Sequence, residues 1–284
     1  MEVPFEWGVV CTQSYISVRD LDRNGANIKA AWLAYNSLLA AYFLTATSSR
    51  IPHYRQEGLV EEMLDVPLPP YSEGMLDDIH SLADVDAHIR DAVRLTEAQW
   101  VLVEDFVKFV IPEAMRGRAS EGRLATTRSR GISREVSELS EYARFFTRVL
   151  KATFGKDKAV CATVFEESDI EYLPVRMLAV HLDWPGRKPL EVETMDKSGL
   201  FTKLRLLYQD ALSPKNRASS GEGLGFQRVA FLFHSHVEGK RRIPSLYIIK
   251  PDQRRYWTRS LAMRDADQLA GAILRTASPK RATS

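Results

Sequence analysis

Residues 159–195 read AVCATVFEESDIEYLPVRMLAVHLDWPGRKPLEVETM, and this stretch decides the fold class. It holds three short runs, AVCATVFE, VRMLAVHLD and PLEVETM, each rich in β-branched and apolar residues and each ending at turn-forming residues. Runs of that length and composition read as strands. A helical pattern follows from Lys197 to Leu212, then the flexible SPKNRASSGEGLG. Two more apolar runs, Phe226–Phe233 and Pro244–Ile249, and a closing helix from Asp265 to Arg275 complete this part.

Upstream the pattern is helical. Amphipathic segments cover Asp77–Arg90, Glu97–Ile111 and Ser133–Lys151, and LVEEMLDVPLPPY is a short helix or strand with a proline-rich exit. From Ile28 the residues Ala31, Trp32, Tyr35, Leu38, Leu39 and Tyr42 recur at helical spacing, predicting one long, mostly buried helix ending near Thr45. Pro52 forbids its continuation. Before it, Trp7–Val18 mixes β-branched and aromatic residues as a strand does, and RDLDRNGAN is turn chemistry. The expected fold is therefore α+β: an N-terminal strand and long buried helix, a helical middle, and a strand-rich C-terminal domain with flanking helices. The expected divisions are 1–115, a basic linker or loop at 116–132, and an α+β domain over 133–284.

At 284 residues and 45% apolar composition the chain is long enough for a substantial core. Its net charge of +2 excludes a polycation, so any nucleic-acid surface must come from local clustering. Cys11 and Cys161 lie far apart in apolar runs, without ligand spacing, which reads as reduced thiols in a cytoplasmic protein. The opening MEVPFEWGVV lacks a signal-peptide pattern. Ala30–Thr47 contains Asn36, Ser37, Thr45 and Thr47 and falls short of a membrane span.

Several motifs carry no chemistry on inspection. In VPLPPY, Leu68 stands where a hydrogen-bond acceptor for a target amino group would be required, so the segment reads as a structural loop. GEGLGF precedes a strand instead of opening a helix, so it is no phosphate cradle. No cofactor-binding motif is present, and none is expected to bind. His234 and His236 share a strand face but lack metal-ligand partners. A nuclease would require clustered carboxylates with a lysine; Asp183, Glu191 and Glu193 flank a turn, but Glu193 occupies the position the lysine would take.

Two basic segments carry more weight. RGRASEGRLATTRSRGISR (116–134) has six arginines against one glutamate. GKRRIPSLYIIKPDQRRYWTR (239–259) has Lys240, Arg241, Arg242, Lys250, Arg254, Arg255 and Arg259 against Asp252 alone, with Tyr247, Tyr256 and Trp257 interleaved. Cations neutralise phosphates, and aromatic faces stack on bases.

One long stretch, AWLAYNSLLAAYFLTATSSRIPHYRQEGLVEEMLDVPLP, resembles the C-terminal, target-recognition-like region of bacterial N6-adenine DNA methyltransferases of restriction–modification and phage-defence systems. The positions that carry the resemblance are Asn36, Ser37, Tyr42, Leu44, Thr45, Ser48, Arg50, Tyr54, Arg55, Val66, Pro67, Leu68 and Pro69. Ser49 stands where that family has glycine. GVVCTQSYISV and YIIKPDQRRYWTRSLAMRDAD add to the likeness. The family's S-adenosylmethionine-binding loop and catalytic Asn-Pro-Pro-Tyr do not occur in the chain. The resemblance thus implies a non-catalytic DNA-binding subunit, partnered by double-stranded DNA and a methyltransferase or defence subunit, with no membrane association. An interaction subunit without DNA affinity, or a nuclease using Asp183 and Glu191, are the alternatives. The expected nucleic-acid contacts are Arg50, His53, Tyr54 and Arg55 at the helix end, Arg116, Arg118, Arg123, Arg128 and Arg130 in the loop, and Lys240, Arg241, Arg242, Lys250, Arg254, Arg255, Tyr256, Trp257 and Arg259 in the last third.

Overall fold

The computed structural model describes residues 25–48, 60–70, 74, 76–116, 120–127, 137–155, 159–167, 174–211, 230–238 and 241–277. The fold is α+β, and the chain divides into two compact units, Met1–Met115 and Arg116–Ser284. The expected strand at Trp7–Val18 lies outside the described residues.

The described part of the first unit is helical: α1 (Ala26–Tyr35), α2 (Leu38–Thr47), α3 (Val60–Leu64), α4 (Leu82–Ala92), α5 (Glu97–Asp105), a π-helical turn (Phe106–Val110) and α6 (Ile111–Arg116). The single long helix expected from Ile28 to Thr45 is in fact two, broken at Asn36 and Ser37. Asn36 folds its amide back onto the Trp32 carbonyl at 2.7 Å. Ser37 turns extended, donates to the Ala34 carbonyl at 2.6 Å and accepts from the Ala40 amide at 3.2 Å, closing one helix and opening the next. Short polar side chains compete for backbone groups in this way, and the apolar spacing on either side conceals it. Asp86 of α4 completes the joint by accepting the Leu38 amide at 2.7 Å. Most of α2 is only half-buried, Ala40 being its one buried residue. The expected loop at VPLPPY is anchored by buried Val66 and Pro69, while Leu68 stands out to solvent.

The second unit is built on a five-stranded sheet in the order β3-β1-β2-β5-β4. Its strands are β1 (Cys161–Glu167), β2 (Val175–His181), β3 (Leu190–Met195), β4 (Ala230–Glu238) and β5 (Arg241–Pro251). All pairs are antiparallel except β1 with β3. The β3 parallel pairing requires the chain to cross β1 after β2, and Gly186 supplies the left-handed φ of 84° in that connection. Helices α7 (Glu138–Phe154) and α8 (Lys197–Ala211) pack on the sheet, and α9 (Arg259–Ala277) packs against α7.

Side-chain alternation divides the sheet's two faces. Phe165, Met177, Ala179 and Tyr247 meet Leu200 and Leu207 of α8 on one face. Val164, Leu178, Leu246 and Ile248 point to the other, toward α7, whose Leu139, Tyr142, Phe146 and Leu150 are buried. Helix α9, expected from Asp265, begins at Arg259 because the Thr258 hydroxyl accepts the Leu261 amide at 3.2 Å and caps it.

Candidate nucleic-acid interface

The interface is built around a carboxylate that cannot be left alone. Asp252, at the end of β5, is buried, and a buried carboxylate requires donors. Thr126 provides two, its amide at 3.0 Å and its hydroxyl at 2.6 Å. The backbone reinforces this staple: the Arg254 amide donates to the Leu124 carbonyl at 3.0 Å. The Arg254 side chain donates to the Ala125 carbonyl at 3.3 Å and pairs with Glu138 at 3.1 Å. Glu138 in turn accepts the Thr127 amide at 2.7 Å. A 3-10 turn at Glu121–Arg123 therefore packs against a second at Arg254–Tyr256. The described part of the expected basic linker, 120–127, is a docked segment of the sheet domain.

Beneath this lies a layer of buried charge. Arg176 and Glu166 pair at 2.9 Å, and Arg176 also reaches the Thr126 hydroxyl at 3.3 Å. Lys250 is 2% exposed. Its ammonium bonds to Asp265 and, at 3.1 Å each, to the Tyr142 hydroxyl and the Tyr256 carbonyl. Burial pushes the Lys250 ammonium below the usual lysine range, with Asp265 opposing the shift. The Tyr142 hydroxyl, which donates to Asp265 at 2.7 Å, is held well above its ordinary range by burial first and by that carboxylate second.

These contacts correct several expectations. Lys250 serves the fold, and Arg254 is held by Glu138. Trp257, 1% exposed with its indole N–H donated to the Pro251 carbonyl at 3.0 Å, presents no face for a base. The basic run 239–259 is no continuous patch either. Strand β5 carries the chain from Arg242 to Pro251, about 30 Å at ~3.3 Å per residue, so exposed Arg242 and the Arg254–Arg259 group occupy opposite ends of the sheet. Arg123, Arg255, Tyr256 and Arg259 remain partly exposed around the stapled turns. Arg255 is steered by Gln253 at 3.0 Å, and its guanidinium lies 4.9 Å from the Tyr256 ring centre. Arg264, on α9 and absent from the expected set, lines a pocket with Arg255 and Tyr256. Arg50, His53, Tyr54, Arg55, Arg118, Arg128, Arg130 and Lys240 lie outside the described residues, as do the side chains of Arg116 and Arg241.

The alternative nuclease site resolves differently from its expectation. Glu191 and Glu193 both line a pocket of about 420 Å³ beside α8, and Asp183 is not among its lining residues. The lysine that spacing failed to supply comes from α8: Lys203 lies 3.9 Å from Glu193. Glu191 is paired with Arg187 at 2.8 Å. His181 is held between Ser245 at 2.7 Å and Thr163 at 3.2 Å. Among the described residues no group of three His, Cys, Asp or Glu side chains is placed to hold a metal ion. None of the described helices is long and apolar enough to cross a membrane.

The second unit is thus an α+β domain whose arginine-bearing turns are stapled together over a buried charge layer. Comparison with family models, curated proteins and solved structures found no match to this chain.

Proposed function

We propose that the chain is a non-catalytic, DNA-contacting subunit whose second unit grips duplex backbone through Arg123, Arg255 and Arg259. One observation supports the reading above all. The turn that carries Arg123 and the turn that carries Arg254 and Arg255, far apart in sequence, meet at one place, fastened by Thr126 to Asp252. The resemblance of the first unit to the C-terminal regions of N6-adenine DNA methyltransferases adds the setting: a cytoplasmic restriction–modification or phage-defence system whose catalytic subunit is another chain. Phosphate contacts then supply affinity and position, and sequence reading falls to side chains near them.

The test is duplex binding by fluorescence anisotropy across a salt series. Each phosphate contact contributes about 0.9 to the slope of log affinity against log salt. Arg123→Glu, Arg255→Glu and Arg259→Glu together lower the slope by about 2.7 and weaken binding to unrelated sequences alike. Wild-type binding that is undetectable or indifferent to salt removes the proposal.

A second reading has its own observation in the first unit, where Leu64 is 75% exposed and Leu68 50% exposed beside the proline-rich exit. That segment then docks a protein partner. Co-purification with a methyltransferase that is lost on Leu64→Ser with Leu68→Ser supports it, and unchanged co-purification refutes it.

A further inference from the structure

The pocket of about 420 Å³ on the α8 face of the sheet falls in the size range of small-ligand sites, roughly 300–1,000 Å³. Strand register builds its floor. Glu191 and Glu193 of β3 lie opposite Thr163 and Phe165 of β1, so alternation turns all four to one face. Tyr247 of β5 stacks on Phe165 with ring centres 6.3 Å apart, Trp184 and Arg187 add a wall from the connection after β2, and Lys203 enters from α8. Apart from His181, which Ser245 and Thr163 hold, the charged lining is two cations and two carboxylates. They are not used alike. Arg187 and Glu191 are hydrogen-bonded to each other at 2.8 Å, and the Arg187 guanidinium lies 4.2 Å from the Trp184 ring centre. Lys203 and Glu193 stand 3.9 Å apart, beyond hydrogen-bond reach. Among the described residues, neither the Lys203 ammonium nor the Glu193 carboxylate has a hydrogen bond to protein. The ammonium sits 4.0 Å from the Phe165 ring centre on a side chain only 26% exposed, an attraction that leaves its three donors unfilled. Burial lowers the Lys203 pKa, with Glu193 opposing the shift.

A ligand matched to this lining carries one charge of each sign, close together. A multiply charged anion meets two carboxylates here, and a multiply charged cation meets two basic side chains. A free α-amino acid bears its ammonium and carboxylate on one carbon, a separation suited to an open pair 3.9 Å apart. The other charged pair, Arg187 with Glu191, is already closed on itself, so the rest of the ligand carries no charge. We propose that the pocket binds a free α-amino acid with an uncharged side chain, its carboxylate on Lys203 and its ammonium on Glu193. Each contact exchanges a hydrated charge for a charge-assisted hydrogen bond. The site lies on the opposite face from Arg176 and Lys250, which alternate with Met177 and Ile249, and it does not rest on the DNA-contacting reading.

The experiment is isothermal titration calorimetry of the full chain with L-leucine and L-phenylalanine, each beside two analogues. Isoamylamine and phenethylamine lack the carboxylate; 4-methylpentanoate and 3-phenylpropionate lack the ammonium. Wild type binds at least one of the two amino acids saturably, and binds both of that amino acid's analogues roughly tenfold more weakly. Lys203→Met then erases the advantage over the amine and keeps the advantage over the acid, while Glu193→Gln does the reverse. Glu193 is 49% exposed, so Glu193→Gln leaves the fold intact even if Lys203→Met does not. This crossed pattern separates ligand contact from a structural role, which weakens an amino acid and its analogues alike. No saturable binding of either amino acid at millimolar concentration overturns the site. Analogues that bind as tightly as the amino acid overturn the match to a zwitterion, and so does equal weakening of every probe by Glu193→Gln.

Discussion

Lys250 offers the sharpest test, because sequence alone makes it a DNA contact and the structure makes it part of the core. Consider Asp265→Asn. The variant keeps an oxygen to accept the Tyr142 hydroxyl and removes the charge facing an ammonium that is 2% exposed. Breaking a buried ion pair from one side costs about 3–5 kcal/mol, because the remaining charge has no counter-ion and no water. Against a domain stability of about 5–15 kcal/mol this is a large fraction. Replacing the whole network, with Lys250→Met, Asp265→Leu and Tyr142→Phe together, removes the desolvation cost as well, and that variant lies within about 1 kcal/mol of wild type. Urea denaturation followed by intrinsic tryptophan fluorescence measures both. The single variant also acquires a pH signature. Burial already lowers the Lys250 pKa in the folded chain, and losing Asp265 lowers it further. The folded variant then binds fewer protons than the unfolded chain below lysine's ordinary 10.5, so its stability rises with pH, by at most about 1.4 kcal/mol per unit. Measurements below about pH 9 keep tyrosine ionisation out of the comparison. A cost under about 1 kcal/mol for Asp265→Asn, or a triple variant as damaged as the single one, refutes a charge-paired core at this site.

Other consequences are checked more simply. Thr126→Val removes the hydroxyl donor to buried Asp252, leaving only the backbone amide of that residue, and costs about 1–3 kcal/mol, with faster proteolysis within 116–136 as the local readout; unchanged proteolysis means the segment is held by other contacts. Ser37→Ala removes the cap that opens α2 and costs about 1 kcal/mol by thermal melting; a neutral result means the Asp86 bond to Leu38 suffices. Asp86→Asn keeps that acceptor while removing a carboxyl whose pKa is raised, chiefly by burial and also by Glu104. A raised carboxyl takes up a proton on folding, so wild type gains stability relative to the variant as pH falls through the folded-state pKa toward 3.8, and parallel pH profiles refute the assignment.

The strands and helices of the second unit were legible because their patterns are local. AVCATVFE, VRMLAVHLD and PLEVETM alternate or run apolar over strand lengths; β2 and β3 lie within their runs and β1 extends one residue past its own, to Glu167. Two boundaries failed for equally local reasons that apolar spacing does not register. Ser37 breaks a helix with its own hydroxyl, and Thr258 starts one six residues before the periodicity becomes visible. Strand order was beyond reach, since nothing in the run after β2 announces that β3 crosses to pair in parallel with β1.

The basic run of 239–259 was misread for a different reason: charge counted along the chain is not charge in space. A strand of eleven residues turns one basic run into two clusters about 30 Å apart, because each strand residue advances the chain ~3.3 Å. Alternation places Arg242 and Lys250 on the same face of β5; Lys250 is core because Asp265 and Tyr142 cover that end of the strand, while Arg242 stands exposed at the other end. Asp252 is the residue whose importance the sequence most conceals. Counted along the chain it is the lone acid diluting a basic run. In the fold its burial demands donors, Thr126 answers, and two arginine-bearing turns are brought together as a result. An Asp252→Asn variant separates these roles. It keeps an acceptor for Thr126 and adds a positive increment to the local charge. If the staple matters to DNA contact through geometry alone, affinity stays level or rises slightly while Asp252→Ala loses both the staple and the affinity.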